Sequence, residues 1–236
     1  MKWILNITLL VMLVTPAAAS TFAVQNVSWE PYFFQERQVV KGHAKNMVAL
    51  IMEDVGASAH YQVSPSWQRT LEDGLSKPNT IIAGIGRTQK REALFYWIGP
   101  VNIPVEINLY SLSSNDTVIA NIEELRHYTT AVEKHMYYHD FMVEQGLREH
   151  TFTVVDIESM MKLLVTGKAD FILLEQARME VELARLGYDS SILVNKGTAF
   201  VAQTFLSLSK NTDKRWYKKL KASYEKLAKQ GLIQPR

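Results

Sequence analysis

The sequence predicts an α/β protein made of two similar halves, each a sheet covered by helices. Short apolar strands alternate with amphipathic helices in both halves, which is typical of a parallel, helix-covered sheet. Residues 75–82 and 166–173 repeat one pattern, in which an amphipathic helix ends, a lysine-containing turn follows and an apolar strand begins. Because αβ turns are built alike, a single repeat of this kind is also compatible with chance.

The first half is predicted from periodicity and from residues that end helices. Met47, Leu50, Ile51 and Val55 recur at helical spacing and Gly56 follows them, which predicts a helix over 44–55. A second helix is predicted to begin at Ser64-Pro65 and to bury Trp67, Leu71 and Leu75 on one face. The predicted strands are 21–27, 61–63 and 80–84.

The second half repeats this alternation and ends in the clearest helix of the chain. Asp156 is predicted to cap a helix that buries Met160, Met161 and Leu164. The other predicted elements are an extended run at 101–111, strands at 128–132, 152–155 and 171–174, and a helix at 137–145. The last helix follows Asp213 and buries Trp216, Leu220, Tyr224 and Leu227. Its lysine-rich outer face indicates either a solvated surface or docking onto a negatively charged partner.

The N-terminus predicts export to the periplasm. Lys2 is followed by an apolar run of about 12 residues, and then by Pro16 and small residues at 17–20. Such a run is too short for a membrane-spanning helix, which needs about 20 residues. We therefore interpret residues 1–19 as a signal peptide and exclude them from the fold, with an uncleaved anchor as the alternative.

Composition excludes several classes of function. The chain has 236 residues, and 217 of them remain without residues 1–19. Because Lys2 is removed with this segment, the remaining chain has 25 basic and 24 acidic side chains. This near neutrality favours neither nucleic acid nor an anionic membrane as a partner. The chain has no cysteine, so disulfides, thiolate chemistry and cysteine-ligated zinc are excluded.

Five segments, in the same order along the chain, resemble bacterial extracellular solute-binding proteins of family 3, the periplasmic polar amino-acid-binding components of ABC transporters. They are 29–33 (WEPYF), 67–75 (Trp67, then LEDGL), 88–100 (TQKRE, then FYWIGP), 163–170 (LLVTGKAD) and 205–233 (FLSLSK, then a helix ending in GLI). The resemblance implies a two-lobed periplasmic-binding-protein type II fold with a ligand cleft between the lobes. Lobe 1 would comprise 20–107 and 200–236, and lobe 2 would comprise 108–199.

The same resemblance implies the polar contacts of a ligand site. Arg91 would grip a ligand carboxylate, because a guanidinium offers a planar fork that matches two carboxylate oxygens; the alternative is a structural salt bridge, to Glu92 or another acid of the same lobe. Thr88 would contact the same carboxylate or else cap the following helix. Gly86 stands where many relatives have serine and would offer only its backbone. Glu175 would receive the ligand ammonium, or else serve as the acid that begins a helix.

Aromatic side chains would form the walls of this pocket. Trp29, Tyr32 and Trp67 are expected to line it from lobe 1 and Tyr137 from lobe 2, although aromatic residues are also common in cores. Residues 134–137 (KHMY) replace a small turn of the family, and Asn46 and Asn79 replace aspartates. These departures place specificity for a standard amino acid in doubt.

Other chemistry has weaker support. His135 and His139 have a spacing that suits zinc on one helix face, but a surface histidine cluster is the simpler interpretation. Residues 84–89 mimic a dinucleotide-binding loop without its third glycine, and no Gly-x-Ser-x-Gly segment is present. We therefore predict no metal, no cofactor and no catalytic residue.

The predicted function is capture of an amino acid or similar small carboxylate-bearing solute, and its delivery to an ABC permease by a monomeric periplasmic protein. A periplasmic sensor that passes its closed state to a signalling partner is the alternative. An enzyme on the same scaffold is the third interpretation.

Overall fold

The structure, a computed structural model, describes residues 20–235. The predicted signal peptide, residues 1–19, lies outside the described residues. The elements up to the first crossover are β1 (Thr21–Asn26), β2 (Phe34–Glu36), β3 (Val39–Lys41), α1 (His43–Val55), β4 (Ser58–Val63), α2 (Trp67–Ser76), β5 (Thr80–Gly86), α3 (Gln89–Glu92) and β6 (Phe95–Ile98).

The elements that follow belong to the second lobe, until the chain returns to the first. They are β7 (Val105–Leu112), β8 (Thr130–Glu133), α4 (Tyr137–Glu144), β9 (Thr151–Val154), α5 (Ile157–Val165), β10 (Phe171–Glu175), α6 (Gln176–Leu186) and β11 (Leu193–Ala202). The returning elements are β12 (Thr204–Ser209) and α7 (Lys214–Lys229). No helix within 20–235 has the length and apolar character that crossing a membrane requires.

The first sheet is mixed rather than wholly parallel. Its strand order is β4-β1-β5-β12-β6. β1 runs parallel to β4 and β5, as the alternation of strands and helices predicts. β12 returns from the second sheet and lies antiparallel to both β5 and β6. The prediction of a parallel sheet, which was made from the strands now labelled β1, β4 and β5, is therefore confirmed for those three, and β12 joins them in the antiparallel direction.

The second sheet has the order β11-β7-β10-β8-β9. β8 is parallel to β9 and β10, whereas β7 is antiparallel to β10 and β11. The chain crosses between the sheets after β6 and again between β11 and β12. The lobe boundaries predicted at 107/108 and 199/200 fall inside β7 and β11, so we propose to draw them at 104/105 and 202/203 instead.

Two hydrophobic clusters stabilise the lobes. One lies between the first sheet, α1 and α7 and contains Phe22, Phe33, Ile51 and Leu220. The other fills the second lobe and extends without a break into Trp67, Ile85 and Trp97 of the first. The two lobes are therefore packed against each other, in a closed arrangement.

The start and the buried face of α2 differ from the prediction. Ser66 accepts a hydrogen bond from the Arg69 backbone N–H at 3.2 Å and caps the helix, so Pro65 precedes it. Leu75 is 43 % exposed, whereas Thr70 and Gly74 are buried. Each i+4 step moves a residue about 40° around the helix, so Leu75 has rotated away from the face of Trp67, while Gly74, seven residues on, has returned to it.

The caps of the later helices follow the prediction. Asp156 accepts from the Ser159 backbone N–H at 2.7 Å, and Met160, Met161 and Leu164 of α5 are buried. Asp213 caps α7 by accepting from the Arg215 backbone N–H at 2.8 Å. Side-chain oxygens at this position satisfy N–H groups that have no partner within the helix.

Candidate ligand-binding site

The candidate site lies where the carboxyl ends of β5 and β10 face each other across the lobes. β5 ends at Gly86 and β10 ends at Glu175. The carboxyl ends of parallel strands are where α/β sheets bind ligands. α4 begins at Tyr137 and brings its first turn from lobe 2 against lobe 1.

Arg91 is buried at this junction, with 4 % of its surface exposed. Its Nη2 lies 2.8 Å from Oδ2 of Asp140 and donates to the His135 carbonyl at 2.6 Å. Burial lowers the pKa of the Arg91 guanidinium, and the negative charge of Asp140 opposes that effect. The structure thus shows the salt bridge that was the alternative for Arg91, but its partner is not an acid of the same lobe, and Glu92 instead pairs with Arg87 at 2.6 Å.

Asp140 belongs to the second lobe and is itself 3 % exposed. Its Oδ1 also accepts from the Lys90 ammonium at 3.0 Å. Two cations of lobe 1 thus hold one carboxylate of lobe 2. The arrangement resembles what a bound carboxylate ligand would require, but the carboxylate is supplied by the chain.

Tyr137 fills the space between Arg91 and Glu175. Its hydroxyl donates to Oε1 of Glu175, and its ring packs against the backbone of Gly86. Burial, and secondly the charge of Glu175, raise the pKa of the Tyr137 hydroxyl, so it stays protonated. The second oxygen of Glu175, Oε2, is buried without a hydrogen-bond partner among the described residues.

A buried charge network lies behind Tyr137, and the sequence did not point to it. Arg178, from the first turn of α6, pairs with Oε2 of Glu133 at 3.0 Å and donates to the Tyr138 hydroxyl at 3.1 Å. The Tyr138 hydroxyl donates to the same Glu133 oxygen at 3.1 Å. Burial lowers the pKa of Arg178, but the groups around it, with Tyr138 and Glu133 foremost, outweigh burial and raise it overall.

The aromatic residues of lobe 1 form a wall beside this network. Trp29 and Tyr32 stack with ring centroids 4.2 Å apart. Gly84 lies under the edge of the Trp29 ring with φ of 112°, and a Cβ there would be only 2.3 Å from the ring. The Trp67 indole N–H donates to the His135 carbonyl, which links the wall to lobe 2.

Two cavities of unequal size border Tyr137 in the closed cleft. The inner one has a volume of about 20 Å³ and is lined by Asn26, Val27, Ser28, Trp29, Trp67, Gly84, Gly86, Met136, Tyr137, Glu175, Arg178 and Thr204. That is room for one water molecule and not for an amino acid. The outer cavity, of about 350 Å³, lies on the other side of Tyr137 and includes Thr88, Phe141, Phe200 and Gln203.

The structure brings together most, but not all, of the predicted site residues. Trp29, Trp67, Gly86, Tyr137 and Glu175 line the inner cavity. Tyr32 lines neither cavity and stacks on Trp29.

Two other predicted residues lie elsewhere in the cleft. Thr88 lines the outer cavity, and its Oγ1 is buried without a partner among residues 20–235. Thr88 occupies the N-cap position of α3 but makes no capping bond through its side chain. Arg91 lines neither cavity, because Asp140 covers it.

Of the two histidines in the predicted cluster, His135 joins the lobes through its backbone carbonyl. His135 lies in the turn before α4 with φ of 66°, and its carbonyl accepts from Trp67 and Arg91. Burial, and then neighbouring positive charges such as Lys134, lower the pKa of His135. Burial is also the main cause that lowers the pKa of His139. No group of three or more metal-binding side chains lies close enough together within 20–235 to hold a metal.

We expect the free energy of unfolding to fall as the pH drops from 7.5 to 5.5. The pKa values of His135 and His139 in the folded protein lie below the usual 6.5, so the unfolded chain takes up protons first. Their contribution is complete above pH 6.5 and is lost as the pH falls through the lowered values. Urea unfolding at several pH values measures the slope. His139→Gln is expected to flatten it, and a slope equal to that of the control, exposed His60→Gln, would contradict this origin.

Comparison with solved structures identifies the fold. The chain is similar to the crystal structure of a histidine kinase sensor domain with similarity to periplasmic binding proteins, with a TM-score of 0.76 and 15 % identity over 91 % of this chain and 92 % of that one. It is similar to an ancestral arginine-binding protein bound to glutamine, with a TM-score of 0.73 and 13 % identity over 92 % of this chain and 95 % of that one.

A third similar structure is an amino acid ABC transporter substrate-binding protein from Streptococcus pneumoniae bound to L-arginine, with a TM-score of 0.71 and 13 % identity over 90 % of this chain and 91 % of that one. No family model and no curated protein matches the sequence. The protein therefore has the two-lobed periplasmic-binding-protein fold, as predicted, and at these identities the likeness establishes the fold alone.

Proposed function

We propose that this protein is a periplasmic solute-binding protein that captures an amino acid or similar small carboxylate-bearing solute between its lobes. The observation that carries the proposal is the buried guanidinium of Arg91, which already holds a carboxylate, that of Asp140, at 2.8 Å. A buried guanidinium at a lobe junction binds carboxylates strongly, because solvent screens the pair little. The fold supports the same function, since solved proteins that share it bind arginine and glutamine.

In the open state, Arg91 would receive the solute carboxylate, with Thr88 and the backbone of Gly86 beside it. Glu175 would receive an ammonium group, because one of its oxygens is buried and unpaired among the described residues. Trp29, Trp67 and Tyr137 would enclose the apolar part, with Tyr32 supporting Trp29. We propose that the chain acts without a cofactor, metal or catalytic residue.

Delivery to an ABC permease by a monomer is the proposed use of the captured solute. The signal peptide that residues 1–19 would form supports this periplasmic location. The alternative is a sensor whose closed state is recognised by a signalling partner. The specific observation in its favour is the likeness to a histidine kinase sensor domain. Co-purification of the tagged protein with a permease or with a membrane kinase distinguishes the two.

A thermal-shift screen of amino acids and related small acids tests the binding function. A solute present at 100 times its dissociation constant is expected to stabilise the protein by about 2.7 kcal/mol. Arg91→Ala is expected to abolish the shift in melting temperature, because it removes the carboxylate-binding group. Arg185→Ala, at an exposed arginine paired with Glu182, is the matched control and should keep the shift. If no carboxylate-bearing compound changes the melting temperature, or if Arg91→Ala keeps a full shift, the proposed site is wrong.

A further inference from the structure

We propose that the first turn of α4 is an internal occupant of the cleft. The Asp140 carboxylate takes the place of a solute carboxylate on Arg91, and the Tyr137 ring takes the place of the solute body. The lobes therefore close without a solute, and a solute carboxylate must displace Asp140 in order to bind. Closure of the lobes without a solute follows from contacts within the structure. Competition between Asp140 and a solute carboxylate rests, in addition, on the proposed function.

The first step is the position of the Arg91–Asp140 pair. Its partners come from opposite lobes, and both are almost fully buried. Hydrogen bonds from Arg91 to the carbonyls of Gly86 and His135 satisfy further donors of the guanidinium. A buried ion pair that is hydrogen-bonded in this way stabilises closure only while both partners are present.

The second step is the volume that Tyr137 occupies. Its ring lies against Gly86, and its hydroxyl reaches Glu175, the two groups proposed to contact the solute. About 20 Å³ remains on the inner side of the ring. An amino acid therefore enters the inner cavity only after Tyr137 has moved away from Gly86.

The third step is charge balance. The ion pairs at Arg91 and Arg178 are already matched, since Lys90 and Arg91 hold Asp140 and Arg178 holds Glu133. A solute carboxylate added to the closed site would be an uncompensated buried charge, which is strongly unfavourable. Displacement of Asp140 into solvent removes that excess.

The fourth step is that both replacing groups lie on one short element. Asp140 lies three positions after Tyr137 on α4, so the two residues lie on the same side of the helix. When lobe 2 rotates away, the carboxylate and the ring leave lobe 1 together. Opening the lobes thus empties the whole site in one movement.

The first experiment measures lobe closure with no ligand present. Because the chain has no cysteine, the substitutions Glu72→Cys and Lys162→Cys place one spin label at an exposed position on each lobe, and pulsed electron resonance gives their distance. Wild-type protein is expected to show mainly the short, closed distance. Asp140→Asn is expected to shift the distribution to longer distances, because closure would bury Arg91 without a charged partner. Small-angle X-ray scattering should show a matching increase in radius of gyration.

Two control variants test whether the change in distance comes from loss of the Asp140 charge. Asp140→Glu preserves the charge and is expected to restore part of the short distance. Glu123→Gln removes an exposed carboxylate from lobe 2, where it pairs with Arg126, and should not change the distribution. Circular dichroism and a cooperative thermal transition confirm that each variant is folded. If folded Asp140→Asn protein shows the same distances as wild type, the internal occupant is overturned.

The second experiment measures competition with L-arginine and L-glutamine as probes in isothermal titration calorimetry. Asp140→Asn is expected to bind a probe about tenfold or more tightly than wild type, because removal of the closed, self-filled state increases the binding-competent fraction. Equal or weaker binding by Asp140→Asn overturns the competition. If neither protein binds either probe, the result counts against the proposed function, and the label distances alone then decide the closure.

Discussion

Replacement of Arg178 by alanine is expected to lower the free energy of unfolding by about 3–5 kcal/mol. Glu133 is 7 % exposed, and Arg178 is its cationic partner at 3.0 Å. Without the guanidinium, the buried carboxylate loses its cationic partner and the Tyr138 hydroxyl loses a donor to its oxygen. Both effects act on the folded state alone. Urea unfolding followed by far-ultraviolet circular dichroism measures the loss.

The matched control is Arg185→Ala on the same helix, α6, where the arginine is half exposed and pairs with Glu182. Surface changes of this kind usually alter stability by less than about 0.5 kcal/mol. The double variant Arg178→Met with Glu133→Gln removes both charges and is expected to recover most of the loss. A decrease below about 1 kcal/mol in Arg178→Ala would show that water reaches Glu133.

Local elements could be predicted from the sequence because their patterns are local. α1 is observed at His43–Val55 where 44–55 was predicted, and α4 at Tyr137–Glu144 where 137–145 was predicted. In both, apolar spacing and a nearby turn determine the helix. The antiparallel return of β12 depends instead on pairing with β5 and β6 far back in the chain, which strand composition does not encode.

The sequence predicted individual residues of the cleft, but it did not predict which of them contact each other. The family resemblance was the basis for predicting Arg91, Glu175 and the aromatic walls. The pair Lys90–Asp140, which joins the two lobes, links residues 50 apart, and the pair Glu133–Arg178 within lobe 2 links residues 45 apart. No spacing rule covers such distances. For Arg178, the only signal in the sequence was that an arginine lies in the first turn of the helix that follows Glu175. This signal is weak, because exposed arginines are common in the first turns of helices.

The glycines at 84 and 86 show how one pattern can have two physical causes. Their spacing mimics a phosphate-binding loop, but each instead allows the close approach of an aromatic ring. A Cβ at Gly84 would meet Trp29 at 2.3 Å, and one at Gly86 would meet Tyr137 at 2.8 Å. Tyr137 therefore occupies the space that a side chain at residue 86 would need.

Gly86→Ser is expected to lower the closed-to-open equilibrium constant by about 5- to 150-fold. The new Cβ would lie 2.8 Å from the Cβ, Cγ and Cδ1 atoms of Tyr137, and these atoms are near the backbone and cannot rotate away. Forcing atoms into a packed site typically costs about 1–3 kcal/mol. That cost falls on the closed state alone, because the open lobes no longer hold Tyr137 against residue 86. The spin-label distance between Glu72→Cys and Lys162→Cys measures the shift.

Ala93→Ser is the control for this substitution, because residue 93 is exposed at the end of α3 and tolerates a hydroxyl without a clash. The double variant Gly86→Ser with Tyr137→Gly removes both the Cβ and the ring that the new side chain meets, so the effect of Gly86→Ser should largely disappear in that background. Gly86→Ser leaves the Arg91–Asp140 pair chemically intact, whereas Asp140→Asn leaves the packing of Tyr137 intact. If both variants open the lobes, ring packing and the ion pair each contribute to closure. An unchanged distance distribution in Gly86→Ser would show instead that Tyr137 yields to the new side chain without opening the lobes.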